Sequence, residues 1–259
     1  MAMEGRERVR RHLGRGGADR PPLIIFATAF AARLEQVEPE LLWEDANLLT
    51  RALLRLHSLF AVDALVIEPP PAVLEADGRA IVSDAIERLR TTVGDGVALV
   101  IALPGPLTLA AAPDADTAAT LEDLGDELVE TAHALGPERA DCLAVVERTA
   151  VSSDGAEPLE EALTPLWNAA RYYAAASMLV AAEGVPELGE SGADAVAVWA
   201  GASARDLAAR GSRHVGVAVD PGQSELPETG QGGFYISRGE LPAATEVDSL
   251  HRLIQAVRR

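Results

Sequence analysis

The sequence has no lysine: all 22 positions counted as Lys or Arg are arginine. Without a side-chain amine, Schiff-base chemistry is excluded. So is a Walker-type phosphate loop, which ends in Lys. A single cysteine, Cys142, rules out a disulfide framework within the chain and fits a reducing, cytoplasmic setting. Aromatics make up only 4% of the residues, so the core must be built from closely packed Ala, Leu and Val. No apolar run approaches the roughly 20 residues of a membrane span, and the first twenty residues are polar and Arg-rich rather than a signal peptide. Positive charge is short as well: the net charge is −18, which argues against nucleic acid as a partner, because phosphate binding relies on clustered cations.

What is present is alternation. Short apolar runs near 23–28, 63–68, 97–103, 142–147, 177–182, 194–199, 214–219 and 233–237 are bounded by Gly, Pro and Asp. They read as strands buried on both faces. Between them, Leu121, Leu124, Leu128, Ala132 and Leu135, and later Val247, Leu250, Leu253, Ile254 and Val257, recur at helical spacing. Each set draws one apolar stripe that packs on a sheet. The acidic, Gly- and Pro-rich stretches 151–163 and 221–232 read as loops. Arg6, Arg8, Arg10, Arg11, Arg15 and Arg20 read as a surface helix beside Glu4 and Glu7, with a targeting peptide or anion-binding arm as the alternative. Strands alternating with helices over 259 residues imply a single (β/α)8 TIM barrel with no domain linker.

In such a barrel the reacting groups sit at the C-terminal ends of the strands. Those ends carry Thr28 and Arg33, Glu68, Pro104-Gly105-Pro106, Glu147-Arg148, Glu183, Trp199, Asp220 and Ser237-Arg238.

Several segments, in order and spread over nearly the whole chain, resemble the uroporphyrinogen decarboxylase superfamily, which also holds cobamide-dependent methyltransferases. They are RERVRRHLGRGGADRPP at 6–22, LFAVDALVIEPPPAVLEADG at 59–78, PGPLTLA at 104–110, ADCLAVVE at 140–147, GVAVDP at 216–221 and GGFYISRGELPAATEVDSLHRLIQAV at 232–257. The most specific is PGPLTLA, close to a Gly-Pro-x-Thr-Leu pattern. The resemblance implies a TIM barrel, often dimeric, whose decarboxylases work without a cofactor. They use arginines after strand one to hold substrate carboxylates and an acid after strand two to stabilise a developing cation. Here Arg33 matches the second of the two strand-one arginines, Glu68 is the acid nearest the strand-two position, and Arg238 stands where a strand-eight histidine is expected. In the methyltransferases a zinc site draws on a His-x-Cys pair after strand five, and the matching stretch here is Leu179-Val180-Ala181-Ala182. His12, His57, His133, His214 and His251 show no ligand spacing, so no metal is expected, and the resemblance to the decarboxylases implies no cofactor.

The expectation is therefore a carbon–carbon lyase, decarboxylase-like, acting on a small carboxylated molecule, with a homodimer as the assembly. Arg33, Glu68 and Glu147 are the candidate catalytic residues. Glu68 and Glu147 would split as acid and base, or each would pair with an arginine, Glu147 with Arg148 or Arg33. Arg33 would hold an anion bidentately, or pair with Glu35 or Glu38. Thr28, Trp199 and Arg238 are the candidate substrate-binding residues, Trp199 stacking on a flat substrate or filling a core gap. Asp220 would fix its turn, and Tyr172 and Tyr173 would pack on the barrel. Two other functions fit the same residues: a methyltransferase-type or corrinoid-binding protein without its zinc site, and a non-catalytic barrel.

Overall fold

A computed structural model describes residues 3–14, 16–74, 76–112, 119–150, 153–183, 192–200, 214–223, 225–229 and 232–259. Eight parallel strands form the sheet: β1 Leu23–Phe26, β2 Ala64–Ile67, β3 Ala98–Pro104, β4 Cys142–Glu147, β5 Ala176–Glu183, β6 Ala195–Ala200, β7 His214–Val219 and β8 Phe234–Glu240. Their order is β1-β8-β7-β6-β5-β4-β3-β2, and the two end strands lie against each other. The ring is thus a nearly closed (β/α)8 barrel, as the alternation implies. The helices are α1 Gly5–Leu13, α2 Thr28–Leu34, α3 Ala46–Phe60, α4 Ala76–Val93, α5 Pro106–Ala110, α6 Leu121–Ala134, α7 Ser153–Tyr172 and α8 Val247–Val257.

The period-two alternation of the strands divides the core into two layers. Ile24, Phe26, Ala64, Val66, Ala98, Val100, Ala102, Cys142, Ala144, Val146, Met178, Val180, Ala195, Ala197, Phe234 and Ile236 fill the barrel interior, closed at one end by Val9 and Leu13 of α1. The intervening residues, such as Leu65, Leu99, Leu143, Val145, Leu179 and Val196, pack outward against the helices. Small side chains let the interior fill without aromatics, apart from Phe26, Phe234 and Trp199.

The N-terminal face is tied by aspartates. Asp63, Asp141 and Asp194 each precede an even-numbered strand. Each accepts the backbone N–H of a residue in the neighbouring odd strand, Leu23, Leu99 and Ser177 respectively, at 3.0 Å. Asp63 also receives Arg8 at 2.6 Å and Arg20 at 2.7 Å. Asp141 receives Arg6 at 2.7 Å and Arg90 at 2.5 Å. The N-terminal arginines therefore differ from the surface helix expected: Arg8 is buried, because a buried carboxylate is stable only when paired. Arg11 does show the expected helical pair, with Glu7, and Arg15 lies outside the described residues.

The stretch 151–163 departs from the loop expected. From Ser153 it is α7, which carries Pro158 and Pro165 inside the helix. Leu159, Leu163, Leu166, Trp167 and Ala170 are all buried at helical spacing, while both prolines face solvent. Burial of one stripe outweighs two proline breaks. The described part of 221–232 has no helix or strand, as expected, and 151, 152, 224, 230 and 231 lie outside the described residues. Tyr172 is 83% exposed rather than packed on the barrel, and Tyr173 bonds His133 at 3.0 Å. Among the described residues no helix is long and apolar enough to cross a membrane.

Candidate functional site

At the C-terminal mouth the inward register continues past the apolar interior into charged residues. Glu68 follows β2, Arg148 follows β4, Trp199 lies near the end of β6, Asp220 follows β7, and Arg238 and Glu240 close β8. Arg148 Nη2 donates to Glu68 Oε1 at 2.5 Å, and its guanidinium lies 5.3 Å from the Trp199 ring centre. Phe26 meets Trp199 edge-on from below at 5.7 Å. Arg238 Nε donates to Asp220 Oδ2 at 2.9 Å, and its Nη1 to the Trp199 carbonyl. Both mouth arginines are thus held by a carboxylate.

A bulge in β8 produces this arrangement. Ile24 pairs with Ile236, yet Phe26 pairs with Glu240, so β8 carries two extra residues over that step. Gly239 takes a left-handed φ of 75° there, where other residues are strained. The Ser237 hydroxyl replaces the lost ladder partner: it accepts Phe26 N–H at 2.9 Å and donates to Gly239 O at 2.8 Å. Bulges re-aim side chains, and this one brings Glu240 to the start of α2, where Ala29 N–H donates to its Oε1 at 2.7 Å. Burial, opposed by that bond and reinforced by the charge of Glu68, pushes Glu240 up to about 7. Burial also raises Glu68, against the lowering effect of Arg148. Two acids of raised proton affinity that feel each other's charge suit acid–base chemistry near neutral pH.

Of the residues selected from sequence, Glu68, Trp199 and Arg238 meet at this mouth. Thr28 is buried at the start of α2, next to Ala29. Arg33 is exposed and donates to the carbonyls of Ala243 and Thr245, at 2.5 and 2.9 Å. Neither expected partner holds it, and Glu35 pairs with Arg51 instead. Glu147 does not share a pocket with Glu68. Strand parity turns it outward into the sheet–helix layer, fully buried, where it accepts Leu107 N–H at 3.1 Å, Thr108 N–H at 2.9 Å and the Thr108 hydroxyl at 2.8 Å. Its neighbour Arg148, pointing the other way, pairs with Glu68. Asp220 holds Arg238 as well as shaping its turn, in which Gln223 N–H bonds back to its carbonyl.

From sequence, Arg148 stands only as a strand-end residue and a possible partner of Glu147, and Glu240 is not picked out. The signal for Arg148 is present: Cys142, Ala144 and Val146 set an inward parity that Arg148 continues. Nothing in the sequence announces the bulge that delivers Glu240.

No protein-family model matches the chain, and no curated protein is significantly similar to it. Among solved structures, a methyltransferase from Methanosarcina mazei has a TM-score of 0.79 at 16% identity, over 99% of this chain and 98% of that one. A Thermus thermophilus protein whose crystals were soaked with ZnCl2 has a TM-score of 0.50 at 17% identity, over 82% and 95%. An endo-beta-N-acetylglucosaminidase from Cordyceps militaris has a TM-score of 0.50 at 12% identity, over 97% and 95%. At these identities the likeness is one of fold. The zinc of the methyltransferases does not fit the residues present. Leu179, Val180 and Ala181, in the stretch that the resemblance sets against that zinc site, are buried and apolar, and Cys142 is buried at the start of β4. Among the described residues no group of three or more His, Cys, Asp or Glu could hold a metal ion.

Proposed function

We propose that this chain is an enzyme of the carbon–carbon lyase type, a cofactor-independent decarboxylase acting on a small carboxylated molecule at the barrel mouth. The observation that carries the proposal is the placement of Glu240, brought by the β8 bulge onto Ala29 N–H at the mouth, where burial and the charge of Glu68 push it up to about 7. At neutral pH such a group is half protonated and can both give and regain a proton.

In this reading Arg238, half-exposed at the rim, receives a substrate carboxylate in exchange for Asp220, as a guanidinium fork allows. The bond from carbon to the carboxylate breaks, carbon dioxide leaves, and the electron pair stays on carbon. Glu240 delivers its proton to that carbon and is reprotonated from solvent, so one proton is consumed per carbon dioxide released. Glu68 keeps negative charge near Glu240 and so favours the protonated form. Trp199 walls the site, and its indole N–H, buried without a partner among the described residues, is a donor left over for a bound ligand. Arg33 contributes by tying α2, which carries Ala29, to the segment after β8.

The test is a panel of small carboxylates labelled with 13C at the carboxyl, scored for labelled carbon dioxide. Turnover is expected to decline as pH rises through about 7, and Glu240→Gln to lose at least about 100-fold. Labelled carbon dioxide at full rate from Glu240→Gln, or none from any substrate with the native protein, would overturn the assignment.

The likeness to the Methanosarcina mazei methyltransferase goes with a second reading, a methyltransferase-type or corrinoid-binding protein without a zinc site. It predicts a change in the visible spectrum of a cobamide on titration with the protein.

A further inference from the structure

We infer that Thr108 and Glu147 are positioning residues, which clamp the end of β4 and so hold Arg148 across the mouth against Glu68. The inference rests on the proposed function only in taking the mouth as the site of chemistry; the clamp itself is read from contacts.

The Thr108 hydroxyl is the hinge of the device. It donates to Glu147 Oε2 at 2.8 Å and accepts the backbone N–H of Arg148 at 2.8 Å. Glu147 in turn takes the two backbone N–H groups at the start of α5, from Leu107 and Thr108. Gly105 N–H bonds the Val146 carbonyl at 2.9 Å, which fastens the β3–α5 corner to β4 from the other side. A Cβ at Gly105 would overlap the Glu147 carboxylate as it stands. The Gly, Pro and Thr of the segment resembling Gly-Pro-x-Thr-Leu thus each have a place. Gly105 leaves room for Glu147, Pro106 starts the helix turn, and Thr108 bridges to the residue after Glu147.

The consequence is felt one residue further on. Fixing the Arg148 backbone fixes the direction of its Cα–Cβ bond. Its side chain is half exposed and rich in rotamers, and without that anchor it has little to keep it on Glu68 and over Trp199. Arg148, Glu68, Glu240, Arg238 and Asp220 are the charged groups facing one another there among the described residues, so release of Arg148 removes the cation paired with Glu68.

The experiment compares Thr108→Val, which keeps shape and loses the hydroxyl, with Thr108→Ser, which keeps the hydroxyl. Thermal unfolding and near-UV circular dichroism establish that each is folded. Two NMR readouts follow: water exchange of the Arg148 guanidinium protons, assigned with Arg148→Gln, and the carboxyl titrations of Glu68 and Glu240. Thr108→Val is expected to speed guanidinium exchange about tenfold and to move the Glu68 midpoint upward, while Thr108→Ser stays close to the native protein. A folded Thr108→Val with native exchange and a native Glu68 midpoint would overturn the clamp. The Glu240 midpoint in the native protein reads the proposed function separately, so failure of one does not pass for failure of the other.

Discussion

Taking a carboxylate out of water raises its proton affinity unless donors replace the lost hydration. Burial raises both Glu147 and Glu240. Glu147 is fully buried, and the three hydrogen bonds it accepts from Leu107 and Thr108 oppose that rise. Glu240 accepts Ala29 N–H and feels the like charge of Glu68, and it is pushed from its ordinary 4.5 up to about 7. The sign follows for stability. The native state holds this proton more tightly than the unfolded chain, so its contribution is present below the ordinary carboxyl range and is lost as pH rises through about 7. Glu240→Gln, a neutral stand-in for the protonated form, is expected to be the more stable protein at pH 8. The gain should be on the order of 2 kcal/mol, with little difference at pH 4, as read by denaturant unfolding at both pH values. A residue-level reading of the sequence reaches Glu68 and Trp199 because both sit where a strand stops. It names Glu147 and Arg148 together but expects Glu147 to face Glu68, because composition locates a strand end without following its parity.

At the scale of the element, the strands are legible because each is built on a short apolar run, and β4 and β7 are bounded to the residue. Two elements are hidden. The bulge of β8 has no compositional sign beyond Gly239, and the apolar pattern of that strand stops at Ser237. Helix α7 is masked by Pro158 and Pro165, whose local cost is real but is outweighed by Leu159, Leu163, Leu166 and Trp167 in the core. That balance makes a prediction. Pro165 lies on the exposed face in mid-helix, and Pro165→Ala restores a backbone donor at a position that already has helical geometry. The variant is expected to unfold at higher denaturant, with a gain of about 1–3 kcal/mol.

For the whole molecule, the two ends of the barrel divide the work. The N-terminal face spends arginines on Asp63 and Asp141, which seal β1 to β2 and β3 to β4. The mouth holds acids of raised proton affinity. Asp63→Ala leaves the buried Arg8 with Asp19 as its carboxylate partner, takes the carboxylate from Arg20 and removes the acceptor for Leu23 N–H. It is expected to cost about 3–5 kcal/mol in equilibrium unfolding, with no change in the mouth carboxyls. The barrel itself follows from alternation and length, since strands buried on both faces have few other ways to close. The meeting of Glu68, Arg148, Trp199 and Glu240 does not follow, because it depends on which residues of four separate strands share one side of the ring. The central claim is that Glu240 keeps a proton into the neutral range inside that meeting point. A 13C carboxyl titration of the native protein, with the Glu240 signal assigned by its absence from Glu240→Gln, measures this directly. The account predicts a midpoint close to about 7; a midpoint in the ordinary carboxylate range near 4.5 would contradict it.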